Sequence, residues 1–200
     1  MGTERRRKTV MGDRKEHVPE KPEVTFTIKR AVEADVPEIN AIMQEAASDQ
    51  THPDWFVSSD INYIRRNLSE CGITAIARTA EGEAAGFFII ELPEGGVDEL
   101  ADFLGFTEEQ KQHTGIMDTA VVTRRFRGYG LQGRMLAFCE DELKDRELWY
   151  YLTTIHPDHK YSLANMQGGA GTVHRKNTEL CDFFSLIGSI LFSGIKKSFQ

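Results

Sequence analysis

A short segment near the middle of the chain combines an apolar run, arginines and glycines in an order that suits phosphate binding. Val121 and Val122 end the apolar run, a loop rich in arginine and glycine follows, and residues 133–145 have a helix-like composition. The first N–H groups of a helix have no partner within it, and the helix dipole adds positive charge there. Glycines let phosphate oxygens approach those groups closely. Residues 117–132 therefore predict a site for a phosphate-bearing ligand, surrounded by Arg124, Arg125, Arg127 and Arg134.

The overall charge limits the class of partner. The chain has 31 acidic residues against 24 lysines and arginines, a formal net charge of -7, so the arginine loop is a local basic patch on an acidic protein. General nucleic-acid binding needs a broad basic face, and we therefore expect no nucleic-acid partner. No apolar run approaches the roughly 20 residues that span a bilayer, and residues 1–23 have no signal-peptide pattern. These features predict a cytoplasmic protein that does not engage a membrane.

Length and composition predict one domain with a tail. The chain has 200 residues, of which 40% are hydrophobic, and this suffices for a substantial core. Residues 1–23 are charged and contain two prolines, so we expect a disordered or loosely packed tail. Residues 24–200 form the predicted domain, and residues 168–200 are atypical within it.

Metal and disulfide chemistry are not expected. Three cysteines are present, an odd number with wide spacing, which predicts neither a disulfide framework nor a cysteine metal site. His156 and His159 lie close together, but no third ligand is spaced to join them. We therefore interpret these histidines as strand-end and helix-cap residues.

Hydrophobic periodicity predicts alternating strands and helices. Strands are expected at residues 24–30, 73–78, 84–92, 116–123 and 149–155. Helices are expected at residues 33–47, 61–70, 131–148 and from 159 to about 166, with short helical pieces within 97–114. A hairpin turn is expected around Gly82. This order predicts a mixed α/β domain with an antiparallel front and a βαβ-like back half.

The glycine loop matches the dinucleotide-binding pattern GxGxxG from Gly128 to Gly133, but its context disagrees with that interpretation. In a dinucleotide-binding fold the strand runs almost directly into the first glycine, whereas residues 123–127 intervene here. The pattern also usually opens a doubly wound sheet, and too few residues follow Gly133 to complete one. This context disfavours a nicotinamide or flavin fold, and a second interpretation fits the loop better.

The loop resembles the acyl-CoA site of the GNAT superfamily of N-acetyltransferases. The matching residues are the strand end Val121-Val122, then Phe126, then Arg127-Gly128-Tyr129-Gly130-Leu131. The family pattern is Arg or Gln, x, x, Gly, x, Gly or Ala, and it can be aligned in two registers. Arg125-Gly128-Gly130 matches literally, whereas Arg127-Gly130-Gln132 departs at its last position. We prefer the second register because its spacing from strand to arginine is usual for the family.

The resemblance extends over about residues 24–166. Residues 26–46 are similar to the family's first strand and helix, and residues 73–92 are similar to its second and third strands. Residues 154–158, followed by Tyr161, Ser162 and Asn165, resemble the strand and helix start that flank the pantetheine arm. The implied fold is a mixed, mostly antiparallel central sheet flanked by helices. The family would have two further C-terminal strands. Residues 170–180 could form one of them, although their pattern is poor, and the apolar run 183–192 fits a buried strand, a buried helix or a surface for a partner.

The resemblance also implies roles for particular residues. Acetyl-CoA is the implied co-substrate, and its binding residues would be Val121, Val122, Thr123, Arg127, Gly128, Tyr129, Gly130, Leu131, Gln132 and Ser162. Asp118 is the candidate base, and Tyr161 is a weak candidate for the acid because the usual tyrosine position falls on Met166. The implied reaction is direct attack by an amine in a ternary complex, with a small-molecule or protein acceptor. A homodimer is one assembly considered, and a non-catalytic acyl-CoA-binding or regulatory module is the alternative function.

Overall fold

The structure is a computed structural model, and it describes most of the chain between Lys21 and Ile195. The described residues are 21–48, 51, 56, 58–96, 98–156, 158–160, 162, 164, 172–177 and 189–195, the last two ranges by their backbone. Tyr161 and Asn165, and the predicted tail as far as residue 20, lie outside the described residues.

Seven strands form one sheet in the described part of the chain, in the order β1-β2-β3-β4-β5-β7-β6. Only the contact between β4 and β5 is parallel. This mixed, mostly antiparallel sheet confirms the predicted fold class and is not the doubly wound sheet of a dinucleotide-binding fold. The strands are β1 Phe26–Arg30, β2 Gly72–Thr79, β3 Ala84–Glu91, β4 Thr114–Val122, β5 Tyr150–Ile155, β6 Thr172–Asn177 and β7 Ser189–Ile195.

The C-terminal strands complete the sheet despite their weak sequence patterns. β7 lies between β5 and β6 and is antiparallel to both. Strand β6 falls within the poorly patterned residues 170–180, as expected. The sequence pattern of residues 183–192 did not distinguish a strand from a helix. In the structure, strand β7 begins at Ser189.

Six α-helices lie in the described residues, and helices pack on both faces of the sheet. The helices are α1 Val36–Ala47, α2 Ile61–Arg66, α3 Pro93–Gly96, α4 Asp98–Phe103, α5 Glu108–Gln112 and α6 Leu131–Glu142. Helix α1 follows a single 3-10 turn, Glu33–Asp35, and α6 ends six residues earlier than the predicted 148. In the described part of the chain, no helix is both long enough and apolar enough to cross a bilayer.

The core has two layers because the central strand β3 is buried on both faces. Phe88 packs with Leu131 and Met135 on the α6 side of the sheet. Phe87 packs on the opposite side against α1 and α2. Burying an aromatic side chain of this size contributes about 2–3 kcal/mol. The two layers hold β4 and its following loop between α6 and the α1–α2 pair.

Candidate functional site

Strands β4 and β5 separate from each other after a short parallel contact. The pairing runs only from Thr114 opposite Tyr150 to Ile116 opposite Leu152. Beyond that point β4 remains paired with β3 as far as Val122, while β5 pairs with β7. Within the described residues, the edge of β4 from 117 to 122 therefore has no strand partner. Thr153 Oγ1 donates a 2.7 Å hydrogen bond to the Met117 carbonyl at the point of separation.

A bulge in β4 occurs at that same point. Ile89 pairs with Thr119 and Ile90 pairs with Met117, so Asp118 has no partner of its own on β3. A bulge bends a strand and disturbs the alternation of its side chains. The bend helps β4 to diverge from β5. It also allows the Asp118 and Thr119 side chains to meet, and Thr119 Oγ1 donates to Asp118 Oδ2 at 2.6 Å.

The loop after β4 presents backbone N–H groups at the start of α6. Gly128 and Gly130 have positive φ values of 82° and 69°, a backbone region that glycine adopts without a Cβ penalty. Helix α2 is capped by the Asp60 side chain and α5 by Thr107, whereas α6 begins at Gly130 without a side-chain cap. Among the described residues, no backbone carbonyl accepts a hydrogen bond from the amides of residues 128–131. These amides are therefore open to a ligand.

Only some of the four arginines near this loop lie at the cleft beside it. Arg125 pairs with Glu83 at 2.7 Å, and Arg134 donates to the Phe26 carbonyl at 3.1 Å. Arg127 Nε donates to the Val122 carbonyl at 3.4 Å, which keeps its guanidinium at the end of β4. Arg124 and Arg127 both line the cleft described below. The local positive charge at the cleft therefore comes from two of the four arginines.

The loop geometry bears on the two possible motif registers. The two glycines with left-handed backbone, Gly128 and Gly130, are the glycines of the literal register that begins at Arg125. Gln132, the last position of the preferred register, lies half-buried in the first turn of α6. This geometry favours the literal register for the glycine positions. Both registers use the same loop amides, so the predicted ligand-binding segment is unchanged.

An open cleft of about 440 Å³ adjoins the end of β4. It lies between the C-terminal half of α1 and the loop that follows β4. Of the predicted cofactor-binding residues, it is lined by Val121, Val122, Thr123 and Arg127. The Thr123 amide already donates to the Ala85 carbonyl at 3.0 Å. The cleft therefore brings together the strand end and the arginine that the sequence predicted, with Ile42, Glu45 and Ala46 on its other wall.

Asp118 belongs to a cluster of ionisable side chains on the α2 side of β4. The Tyr63 hydroxyl donates a 2.6 Å hydrogen bond to Asp118 Oδ2. Burial first, and then the neighbouring Asp118 charge, raise the pKa of Tyr63 above its ordinary value. Both donors, Tyr63 and Thr119, use Oδ2, and no hydrogen bond to Oδ1 is present among the described residues. Asp118 is exposed, so its other oxygen can meet a substrate.

A second carboxylate, Glu91 at the end of β3, joins the same cluster. Arg66 NH2 pairs with Glu91 Oε1 at 2.5 Å, and the Arg66 guanidinium lies 5.4 Å from the centre of the Tyr63 ring. Burial raises the pKa of Glu91 to about 7, the Asp118 charge adds to this, and Arg66 opposes it. The sequence analysis missed Tyr63, Arg66 and Glu91. No local pattern marks them, because the fold brings them together from two elements.

The remaining predicted residues lie beyond the end of β5. Ser162 is described, and its amide donates to His159 Nδ1 at 3.1 Å, while the Asp158 amide donates to His156 Nδ1 at 3.2 Å. These bonds agree with the strand-end and helix-cap roles expected for the two histidines. No group of three or more potential metal ligands occurs among the described residues. The candidate acid Tyr161 lies outside the described residues, so its role stays a prediction.

Residues that precede β1 contact the glycine loop. Lys21 Nζ donates to the Arg127 carbonyl and lies 5.1 Å from the centre of the Tyr129 ring. The Tyr129 hydroxyl donates to the Pro22 carbonyl at 2.9 Å. Phe26, at the start of β1, packs edge-on against Tyr129 with ring centres 5.3 Å apart. The residues at the end of the predicted tail therefore contact the glycine loop.

Comparison with known proteins identifies the architecture. No family model matches the sequence, and no curated protein sequence matches it. The structure resembles yncA, a putative acetyltransferase from Salmonella typhimurium solved with its cofactor acetyl-CoA, with a TM-score of 0.67 and 15% identity, over 88% of this chain and 96% of that chain. It also resembles a ribosomal-protein-alanine N-acetyltransferase from Brucella melitensis, with a TM-score of 0.64 and 17% identity, over 84% and 99% of the two chains.

A GCN5-related N-acetyltransferase from Kribbella flavida is similar as well, with a TM-score of 0.63 and 14% identity over 85% of this chain and 97% of that one. At such identities the likeness concerns the arrangement of strands and helices. The chain has the fold of the GNAT acetyltransferases, as its glycine loop led us to expect.

Proposed function

We propose that this protein is an N-acetyltransferase that moves an acetyl group from acetyl-CoA to an amine. One observation carries the proposal: β4 loses its partner strand at Met117 and leads into a glycine loop whose amides are open at the start of α6. An extended ligand arm can pair with an unpartnered strand edge, and a diphosphate is bound well by uncapped helix amides. Coenzyme A combines those two chemical parts in one molecule.

In this proposal the chain's own groups hold the coenzyme at two places. The amides of residues 128–132 and the Arg127 guanidinium bind the diphosphate, since charge-assisted hydrogen bonds are the strongest that such a loop offers. The strand edge at Val121 and Val122 pairs with amides of the pantetheine arm. Ser162 approaches the arm from beyond β5. An N–H near Val121 stabilises the oxyanion that forms when the thioester is attacked.

The proposed chemical step is direct attack by a neutral amine on the thioester carbonyl. Asp118 accepts the proton that the amine loses, through Oδ1 or a water molecule. The C–N bond forms, the C–S bond breaks, and the departing thiolate takes up a proton from Tyr161 or solvent. Hydrogen bonds from Tyr63 and Thr119 to Oδ2 orient the carboxylate for this transfer. A base placed in this way typically contributes a factor of about 100 to 10,000 in rate.

The charges near Asp118 support a cationic acceptor. Asp118 contributes a carboxylate on this side of β4, Glu91 adds negative charge as the pH rises through about 7, and Arg66 contributes one opposing charge. An amine is protonated in water near neutral pH, and a negative site attracts it and then removes its proton. The acceptor is a small-molecule or protein amine in this proposal.

The test is a thiol-release assay with acetyl-CoA and a panel of amines, run beside calorimetric measurement of CoA binding. We expect turnover with at least one amine and a loss of about 100-fold in kcat for Asp118→Asn, with unchanged CoA affinity. Asp141→Asn is the matched control, because Asp141 is an exposed carboxylate on α6 that pairs with Lys144 at 3.5 Å. CoA binding without turnover across a broad panel would favour a non-catalytic acyl-CoA-binding or regulatory module. No CoA binding would reject both functions.

A further inference from the structure

The segment that leads into β1 is attached to the glycine loop by three contacts. Lys21 Nζ donates to the Arg127 carbonyl, and the same ammonium lies 5.1 Å from the centre of the Tyr129 ring. The Tyr129 hydroxyl returns a 2.9 Å hydrogen bond to the Pro22 carbonyl. Together these contacts determine where the Lys21 ammonium lies: its hydrogen bond to the loop backbone, its cation–π contact with Tyr129, and the hydrogen bond from Tyr129 to Pro22.

Gly128 accommodates this ammonium. A Cβ atom built on Gly128 would collide with Lys21 Nζ, so a side chain at this position would displace the lysine. Gly128 also has a positive φ of 82°, which other residues adopt with strain. Glycine is therefore needed here both for the loop conformation and for the approach of Lys21. The lysine belongs to the surface of the phosphate loop and does not merely pass near it.

Lys21 has no acidic partner in the described part of the chain. Its contacts are a neutral carbonyl and an aromatic ring, whereas Lys29, Lys111 and Lys144 each form an ion pair with a carboxylate. Two of the four arginines have partners away from the loop amides: Arg125 pairs with Glu83, and Arg134 donates to the Phe26 carbonyl. An uncompensated cation therefore lies beside open backbone amides.

We propose that Lys21 is a coenzyme-binding residue that contacts the diphosphate of coenzyme A from the N-terminal side of the loop. This inference rests on the proposed function and adds residues 21–22 to the binding site. When the anion binds, the ammonium exchanges or supplements its bond to the Arg127 carbonyl with a charge-assisted bond to a phosphate oxygen. The contact with the Tyr129 ring already restricts the Lys21 ammonium before the ligand arrives, which reduces the entropy lost on binding.

The test compares three ligands that share a pantetheine arm and differ in phosphate. Calorimetry measures the affinity of the full chain for CoA, for dephospho-CoA and for pantetheine, in the wild type and in Lys21→Ala. We expect affinity about 10-fold weaker for CoA and for dephospho-CoA, with no change for pantetheine. Lys21→Arg should retain most of the affinity, because it keeps the charge. Lys144→Ala is the matched control, since Lys144 is an exposed lysine that pairs with Asp141 near the end of α6.

The possible outcomes separate this inference from the proposed function. A wild type that binds none of the three ligands would reject the proposed function itself. A wild type that binds CoA while Lys21→Ala binds it equally or more tightly would overturn the inference, and tighter binding would identify Lys21 as an occluding group. A loss for CoA without a loss for dephospho-CoA would overturn the diphosphate contact in favour of the 3′-phosphate. A loss for pantetheine would mean that Lys21 acts only by ordering the loop.

Discussion

Glu91 is expected to make the stability of this protein fall as the pH rises. Its side chain is 7% exposed, and burial raises its pKa from the ordinary 4.5 to about 7. The folded protein therefore holds a proton on Glu91 that the unfolded chain loses above about pH 4.5. The stabilisation is fully present below that pH and is lost as the pH rises towards 7. The variant Glu91→Gln keeps the shape of the protonated group and removes the titration.

The size of the effect follows from the pKa difference. At about 1.36 kcal/mol per pKa unit, a shift from 4.5 to about 7 corresponds to about 3.4 kcal/mol over the whole titration. The unfolded chain is already mostly ionised at pH 5, so the upper limit for the loss between pH 5 and pH 8 is about 2.5 kcal/mol. The partner Arg66 is 47% exposed, so solvent screens the cluster and we expect roughly half of that limit. With a urea m-value of about 2 kcal/mol/M, this equals a midpoint difference of about 0.6 M.

The assay is urea unfolding followed by fluorescence at pH 5 and pH 8. Between these pH values the midpoint of the wild type should fall by about 0.6 M more than that of Glu91→Gln. Glu83→Gln is the matched control, because Glu83 forms a similar pair with Arg125 at 2.7 Å but is 48% exposed. That control should follow the wild type. Equal pH dependence in the wild type and in Glu91→Gln would refute the assigned pKa of Glu91.

Three further substitutions test other parts of the site. Tyr63→Phe removes the hydrogen bond that orients Asp118, so we expect a roughly 3- to 10-fold lower kcat with unchanged CoA affinity in steady-state assays. Gly130→Glu should abolish CoA binding by calorimetry because a carboxylate enters the phosphate loop, whereas Gly82→Glu, at another positive-φ glycine, should bind normally. Gly86→Val should cost about 2–4 kcal/mol in unfolding experiments, because a Cβ there would collide with a β4 carbonyl.

The elements that carry local signals were predictable from the sequence. Two apolar segments on either side of a turn with Gly82 predicted the hairpin of β2 and β3, and the apolar positions of α1 repeat at helical spacing. The glycine loop was predictable because glycine is needed where the backbone is left-handed and where an anion approaches. Strands β6 and β7 were less predictable, since their place beside β5 depends on pairing with distant residues.

The chemistry around Asp118 required the tertiary structure. The sequence identified Asp118 as a carboxylate on the strand before the loop, but the bulge opposite Ile89 and Ile90 depends on the register with β3. Tyr63 lies 55 residues away in the chain, and its bond to Asp118 exists only because α2 packs over β4. The same reason applies to Lys21, which is 106 residues from Arg127.

The sequence by itself indicated the glycine loop and the elements that surround it, because spacing, glycine and helix periodicity act over a few residues. The tertiary structure decided where β4 leaves β5, which arginines remain at the cleft and which side chains surround Asp118. Those features depend on contacts between segments far apart in the chain, and no local pattern encodes which distant partner a charged side chain will meet.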